Sequence, residues 1–369
     1  MEHEFTLRIL EILKQDFGKK ADFIFENSPL IQYLNIKTRS ATRGSKSRSS
    51  FANLYAIYVL VEDYRNHGFE KNKKYENYEG AKFVNLLERQ RQLPFGNKLQ
   101  NHALNSRMNE EFKKYFPRVD FVPILRDPQT NRYWINENLL KIQDGRKTYK
   151  ISKAITSIIA NYIEVKQQSF QAFIETCERL KSIDQDNDQI ISSFIETVLA
   201  PNADARMFEI VSYAILRYYY HDQIVYFGFD PDNIQSENLK LFKTGRTNAN
   251  DGGIDFVMRP LGRFFQVTET LDVKKYFLDI DKIERFPITF VVKTQSDIED
   301  IRQKLREGAK RQYSVNAIVE KYMSCIEEII NIPVLVERFK EAQKQGDLRL
   351  ILDEILTQSK VEFNLEGIE

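Results

Sequence analysis

Long hydrophobic runs are absent from this 369-residue sequence, and few cysteines occur in it. No stretch of about 18 consecutive apolar residues is present, which argues against a membrane-spanning helix. The first ten residues carry acids where a secretory signal would carry bases, so we expect a cytoplasmic protein without a membrane partner. The two cysteines, Cys177 and Cys325, lack the spacing of a zinc site or a disulfide framework and are predicted to be ordinary core residues.

Net charge is also small, at +1, and by itself does not indicate a polyanionic partner. The charges are unevenly distributed, however, because the stretch from Ile36 to Val61 contains basic residues and no acid. Its segment KTRSATRGSKSRSS offers cations, hydroxyls and amide groups to phosphates just before an apolar helix. The alternative is an ordinary surface loop. The side chains predicted here to bind DNA are Arg39, Arg43, Lys46 and Arg48.

The composition, 42% hydrophobic and 29% charged, is typical of a folded globular chain, and the length favours two domains. We predict a mostly helical DNA-binding and recognition domain over residues 1–165 and a second domain over residues 166–369, with the boundary within or just before the helical stretch 149–181. The glycine-rich GRTNANDGG lacks the G-K-[ST] of a phosphate-binding loop, which argues against nucleotide hydrolysis.

The second half predicts an α/β (α+β) core, a central mixed sheet flanked by helices. An apolar helix that starts near Ala205 is followed by a short strand ending at Gly228. Strands are predicted over 254–259 and 263–269, joined by a Pro-Leu-Gly turn, and then a helix over 272–285 and a strand over 288–293. Helices are predicted from there to the end of the chain.

Polar side chains interrupt the apolar runs of this core. Asp255 begins one strand, and a buried carboxylate is costly unless it is paired or holds a metal. Gln266 and Thr268 share one face of the next strand, because side chains alternate with a period of two, and are predicted to converge with Asp255 on one site. Glu209 is the buried acid of the preceding helix. Structural roles are the alternative for each of them: a turn cap, hydrogen bonds within the sheet, or a pair with Arg206.

Helical Glu209, then GGIDF, then FFQVT, then ITFVV after a helix, resembles the PD-(D/E)XK nuclease superfamily over roughly residues 190–300, and in particular type II restriction endonucleases. The resemblance implies a restriction-endonuclease-like fold and Mg²⁺-dependent, sequence-specific cleavage of double-stranded DNA. It also implies a homodimer and a cognate DNA methyltransferase in the same system. Asp255 would bind the metal, Gln266 would replace a glutamate with an amide oxygen, and Glu209 would match the helical glutamate near the metal.

Thr268 departs from the pattern, since it stands where the superfamily has a lysine. A hydroxyl cannot supply the positive charge that activates the attacking water. The side chains that could replace this charge are Lys243, Arg246, Lys274 and Lys293. Further possible metal ligands are Asp251 and, through a bulge, Glu269. The residues predicted to contact DNA just before the doublet Gly252-Gly253 are Arg246, Asn248 and Asn250. Two alternatives follow: a DNA-binding protein whose nuclease core no longer cuts, and an Mrr-like nuclease that depends on DNA modification.

Overall fold

The chain forms two compact units, Met1–Gln171 and Ala172–Glu369. The computed structural model describes residues 3–39, 47–71, 74–97, 99–183, 188–228, 230–244, 254–269 and 271–363. The division falls inside one long helix, Ser152–Lys181, and the sequence-based division after residue 165 falls inside the same helix.

The first unit is mostly helical, with small antiparallel sheets. Its order is α1 Glu4–Phe17, α2 Ala21–Asn27, α3 Pro29–Thr38, α4 Ser47–Asn66, β1 Ala81–Lys82, α5 Phe83–Gln92, α6 Met108–Tyr115, β2 Ile124–Asp127, β3 Arg132–Ile135, β4 Lys141–Asp144, β5 Lys147–Lys150 and α7 Ser152–Lys181. The apolar stripe of α1, with Phe5, Ile9 and Leu13, lies in the core as its helical spacing predicts. The apolar helix expected after the basic segment is α4.

The second unit is built around one mixed sheet. Its order is α8 Asp188–Val198, α9 Ala205–Tyr220, β6 Ile224–Phe227, β7 Gln235–Asn238, β8 Lys240–Lys243, β9 Phe256–Arg259, β10 Arg263–Thr268, α10 Val273–Lys282, β11 Ile288–Val292, α11 Ile298–Gln312, α12 Asn316–Ser324, β12 Ile326–Ile330, α13 Ile332–Lys344 and α14 Leu348–Phe363. Five strands pair in the order β12-β11-β10-β9-β8. The predicted α+β class with a central mixed sheet and flanking helices is confirmed at this level.

Strand direction decides which chain ends meet. β8, β9 and β10 are antiparallel neighbours, whereas β10, β11 and β12 run parallel. The carboxyl ends of β8, β10 and β11 therefore lie at the same end of the sheet as the start of β9. We call this the Asp255 end of the sheet, after the residue that immediately precedes β9.

Helices cover both faces of the sheet. On one face, α9 places Tyr213 against Phe256, with ring centroids 5.2 Å apart, and Tyr220 against Phe265, at 6.2 Å. On the other face, Tyr276 of α10 packs on Phe290 at 4.4 Å, within a cluster shared with α11 and α12. We call these the α9 face and the α10 face of the sheet, after the helices that cover them.

Two predictions about individual elements were wrong in part, and one strand of the central sheet was not predicted. The strand ending near Gly228 exists as β6, but it pairs with β7 in a separate two-stranded sheet, where Ile224 is 55% and Tyr226 74% exposed. The sheet instead takes β8, Lys240–Lys243, which was not predicted as a strand. The C-terminal region, predicted to be entirely helical, contributes β12, whose residues Ile326, Ile329 and Ile330 favour a strand through their β-branched side chains.

Other sequence-based predictions are confirmed. The hairpin turn and both strands around it are present as β9 and β10, followed by α10 and β11. Both cysteines are buried and unpaired. No helix in the described part of the chain is long and apolar enough to cross a membrane.

A close helix contact on the α10 face gives a stability prediction. Gly308 of α11 leaves no room for a side chain, because a Cβ there would lie 2.6 Å from both Cγ atoms of Val273. A β-branched valine cannot turn both methyl groups away, so the strain of Gly308→Ala should exceed the helix-propensity gain of about 1 kcal/mol. We expect a net loss of about 1–2 kcal/mol in the free energy of unfolding, measured by urea denaturation. Lys304→Ala, at an exposed position of the same helix, should change it by less than about 0.5 kcal/mol.

Candidate functional site

Asp255 lies where the pairing of β9 with β10 becomes irregular. Its amide donates to the Phe265 carbonyl at 2.9 Å, although Phe265 already pairs with Phe256, so two residues of one strand oppose one of the other. Its carboxylate Oδ2 accepts the amide hydrogen of Val267 at 2.7 Å, and its carbonyl accepts from the amide of Thr244 at 3.1 Å. The half-buried Asp255 carboxylate is therefore anchored at the end of the sheet, beside β10.

Gln266 and Thr268 share the α10 face of β10, together with Phe264. Gln266 is only 7% exposed; its Nε2 donates to the Val267 carbonyl at 3.1 Å, while its Oε1 has no hydrogen-bond partner among the described residues. Thr268 is buried beside Tyr276, where burial raises the pKa of the Tyr276 phenol and the Thr268 hydroxyl partly offsets that rise. The structure thus brings Asp255 next to β10 between the predicted Gln266 and Thr268 positions.

Glu209 and Lys243 form an acid–lysine pair on the α9 face. Glu209 lies in the second turn of α9, and Lys243 is the last residue of β8; the ammonium Nζ and carboxylate Oε1 are 3.4 Å apart. Both side chains are 12% exposed, so the pair is largely withdrawn from water. Lys243 is one of the residues predicted to supply the positive charge that Thr268 lacks.

A second acid–lysine pair lies at the other side of Asp255. Lys293, just after β11, donates its Nζ to Glu269 Oε1 at 3.0 Å and to the Ala203 carbonyl at 2.6 Å. Ala203 lies two residues before the start of α9, so this contact places the pair on the α9 face. The Lys293 side chain is only 4% exposed. Glu269 is thus on the opposite face from Gln266 and Thr268, as regular alternation predicts.

These two pairs flank Asp255 across four neighbouring strands. Lys243 ends β8, Asp255 precedes β9, Glu269 follows β10 and Lys293 follows β11, and all four positions lie at the Asp255 end of the sheet. The first turns of α9 bring Glu209 to the same end. Three carboxylates and two ammonium groups are therefore gathered there, an arrangement that can bind a cation and stabilise developing negative charge.

The remaining predicted residues that the structure describes lie on other elements. Lys274 is exposed in the first turn of α10, and Arg39 is exposed at the end of α3 in the first unit. The backbone of Arg48 belongs to α4. The predicted residues outside the described side chains are Arg43, Lys46, Arg48, Arg246, Asn248, Asn250 and Asp251, so their proposed contacts with DNA or metal stay predictions.

Sequence reasoning did not anticipate how the charges pair. Glu209 and Lys243 are separated by 34 positions, and the strand that ends at Lys243 was not predicted. Alternation along β10 predicts the face on which Glu269 lies, but its pairing with Lys293 follows from the parallel register, which places Thr268 opposite Val292 and the next two residues opposite one another. Nothing in the sequence indicates that Lys293 contacts the Ala203 carbonyl.

No family model matches this chain, and comparisons with curated proteins and with solved structures also give no match. The functional interpretation therefore depends on the residues and geometry described above.

Proposed function

We propose that this protein is a Mg²⁺-dependent endonuclease that hydrolyses phosphodiester bonds of double-stranded DNA at specific sequences, as type II restriction enzymes do. The observation that carries the proposal is the group of three carboxylates and two lysines at the Asp255 end of the sheet. The order of elements around this group, α9-β8-β9-β10-α10-β11, adds support because it presents the helical acid, the strand-start aspartate and the following strand in the order of the nuclease pattern.

The donor set fits Mg²⁺, which prefers carboxylate oxygens and retains water ligands. Asp255 and Glu209 are the residues proposed to hold it, with a third ligand from β10. When bound, Mg²⁺ would neutralise charge on the scissile phosphate. The backbone hydrogen bond from Val267 orients the Asp255 carboxylate, and the packing of α9 holds Glu209 at the same end of the sheet.

Glu269 is the third ligand that the geometry favours. Gln266 was predicted for this role and has an unpartnered Oε1 among the described residues, but it lies on the α10 face of β10. Glu269 lies on the α9 face, where Glu209 and both lysines are found. A carboxylate also neutralises a divalent cation better than an amide does.

Lys243 is proposed to supply the positive charge that Thr268 cannot. Lys293 is held by two hydrogen bonds, to Glu269 and to the Ala203 carbonyl, and so has a structural role. Among the described residues, the Lys243 ammonium has one ion pair, with Glu209 at 3.4 Å, and the next residue, Thr244, bonds to the Asp255 backbone. Its ammonium can therefore remain close to Asp255 while it stabilises negative charge on the phosphate or the attacking water.

Cleavage of both strands at one position requires two such sites, so we propose a two-fold dimer on DNA. A sequence-specific nuclease also endangers the DNA of its own cell. Protection by a cognate methyltransferase that modifies the same sequence is the corresponding proposal.

The direct test is incubation of the purified protein with supercoiled plasmid and Mg²⁺. Discrete fragments, absent when Mg²⁺ is replaced by EDTA, are expected. Sequence-specific DNA binding without cleavage in either Mg²⁺ or Mn²⁺ would instead identify a binding protein with a non-cleaving core. Cleavage only of methylated plasmid would identify a modification-dependent nuclease.

Substitutions at Gln266 of β10 and at Glu269, which follows β10, test which of the two is the third metal ligand. Glu269→Gln should lower the cleavage rate by about tenfold or more, because it removes an anionic oxygen from the site. Gln266→Met should leave cleavage within about threefold of wild type. Its free energy of unfolding should change by less than about 1 kcal/mol, because the lost hydrogen bond is offset by removal of a buried acceptor without a described partner. The opposite order of cleavage rates would assign the metal to the α10 face.

A further inference from the structure

A second polar cluster lies in the same unit, where the end of α9 meets the loop between α13 and α14. His221 caps the carboxyl end of α9, Asp222 follows it, and Asp347 immediately precedes α14. The His221 Nε2 atom is 3.1 Å from Asp222 Oδ1 and 3.7 Å from Asp347 Oδ1. One potential ligand atom from each residue lies within 4.8 Å of the others.

The hydrogen bonding of His221 suits a metal ligand. Its Nδ1 bonds to the Tyr218 carbonyl, an acceptor, and therefore carries a proton. In the neutral imidazole, Nε2 then has its lone pair free and directed at the two carboxylates. Metal-binding histidines are commonly oriented in this way, by a backbone carbonyl at the other ring nitrogen.

Asp347 provides an independent observation. The residue is only 6% exposed, and its Oδ2 has no hydrogen-bond partner in the described part of the protein. Its backbone is bonded, to the Ala342 carbonyl and to the Ile351 amide, so the loop holds the side chain in place. Burial raises the pKa of Asp347, and the Asp222 charge adds to this rise while His221 opposes it. A buried carboxylate oxygen without a partner is what a bound cation would satisfy.

We propose that His221, Asp222 and Asp347 form a binding site for a divalent transition-metal ion, separate from the proposed Mg²⁺ site. One imidazole nitrogen and two carboxylate oxygens match the preferences of Zn²⁺ and Co²⁺, whereas Mg²⁺ disfavours nitrogen ligands. The half-exposed His221 and exposed Asp222 leave an open side for water ligands. The proposal does not depend on nuclease activity.

The site would join two elements that are distant in sequence. The end of α9 and the start of α14 are separated by more than 120 positions, and the three ligands come from both. A bound ion would therefore stabilise the folded protein in proportion to its concentration relative to its dissociation constant. The alternative is an ion pair between His221 and the two acids, and a metal-binding measurement distinguishes it from a metal site.

Zn²⁺ binding to the full-length protein is measured by calorimetry, and Co²⁺ binding by its visible absorption. Asp255→Asn is used as the background, so that binding at the Asp255 end contributes less. We expect the background protein to bind about one equivalent of Zn²⁺. Its Co²⁺ complex should have a visible spectrum that indicates a nitrogen ligand. Adding Asp347→Asn or His221→Asn should weaken binding by about tenfold or more. Adding Asp230→Asn, an exposed acid of the same unit, should not change it.

Melting curves without metal separate misfolding from loss of ligands, because a folded variant that fails to bind supports the site. Equal Zn²⁺ affinity in the background and in both folded ligand variants would overturn the proposal. Absence of a Zn²⁺ equivalent in the background protein would also overturn it and would identify the cluster as an ion pair.

Discussion

We expect Asp255→Asn to lower the rate of the proposed DNA cleavage by about 10³-fold or more, while DNA binding and folding are retained. This is the largest effect that we expect from a single substitution. Loss of a metal-binding carboxylate removes several kcal/mol of transition-state stabilisation, and about 4 kcal/mol corresponds to about 10³-fold in rate. The measurement is single-turnover plasmid cleavage in Mg²⁺, together with a gel-shift assay in Ca²⁺.

Asparagine is the informative replacement because of the local hydrogen bond. The Asp255 carboxylate accepts from the Val267 amide at 2.7 Å, and an amide oxygen can accept that bond in the same position. Alanine would leave the Val267 amide without this acceptor, at a cost of about 1–3 kcal/mol in stability. A lower cleavage rate could then result from either lost folding or lost catalysis.

Asp281→Asn is the matched control for Asp255→Asn. Asp281 also accepts a hydrogen bond, from the Tyr322 hydroxyl at 2.6 Å, but it lies near the carboxyl end of α10 and away from the Asp255 end. Its cleavage rate should stay within about threefold of wild type. Undiminished cleavage by folded Asp255→Asn would contradict the proposed site.

We expect Lys243→Gln to lower the rate of the proposed cleavage by about 10²–10³-fold, which is the second-largest effect that we predict. The substitution removes the positive charge proposed to replace the missing motif lysine, but it keeps a donor that can still reach Glu209. Lys243→Arg should recover part of the rate, because the charge is restored with a different shape. Rates are compared at saturating protein, so that weaker DNA binding does not contribute.

Lys240→Gln provides the control, since this residue lies on the same strand with a side chain that is 58% exposed. Its cleavage rate should be unchanged. Lys293→Gln should behave differently from both, because it loses buried contacts with Glu269 and the Ala203 carbonyl and so lowers the melting temperature. If Lys293→Gln folds normally and Lys243→Gln cleaves at the wild-type rate, the assignment of the charge to Lys243 is wrong.

These two substitutions also bear on the non-cleaving alternative. In a binding protein with a degenerate core, wild type and both variants would bind DNA equally and none would cleave it. The acid–lysine pairs would then serve stability alone, and Lys243→Gln would be visible only as a small change in the free energy of unfolding. Cleavage that depends on Asp255 and Lys243 is the result that separates the nuclease from this alternative.

Local sequence patterns predicted much of the second unit, including the strands on both sides of the Pro-Leu-Gly turn, the helix after them and strand β11. These elements have apolar periods and turn residues that act over a few positions. The same reasoning failed for β8, in which lysines flank Leu241 and Phe242, and for β12, which lies between two helices. Their strand conformation is stabilised by pairing with β9 and β11, and that pairing joins residues distant in sequence.

Composition and spacing along one chain were enough to predict the α+β class, the helical acid Glu209 and the strand-start position of Asp255. The pairing of the charged side chains became evident from the folded unit alone. The fold paired Glu269 with Lys293 and Lys243 with Glu209, and it placed both pairs on the α9 face. The physical reason is that strand register and helix packing are set by burial over the whole unit, and no local pattern records which side chains that burial brings together.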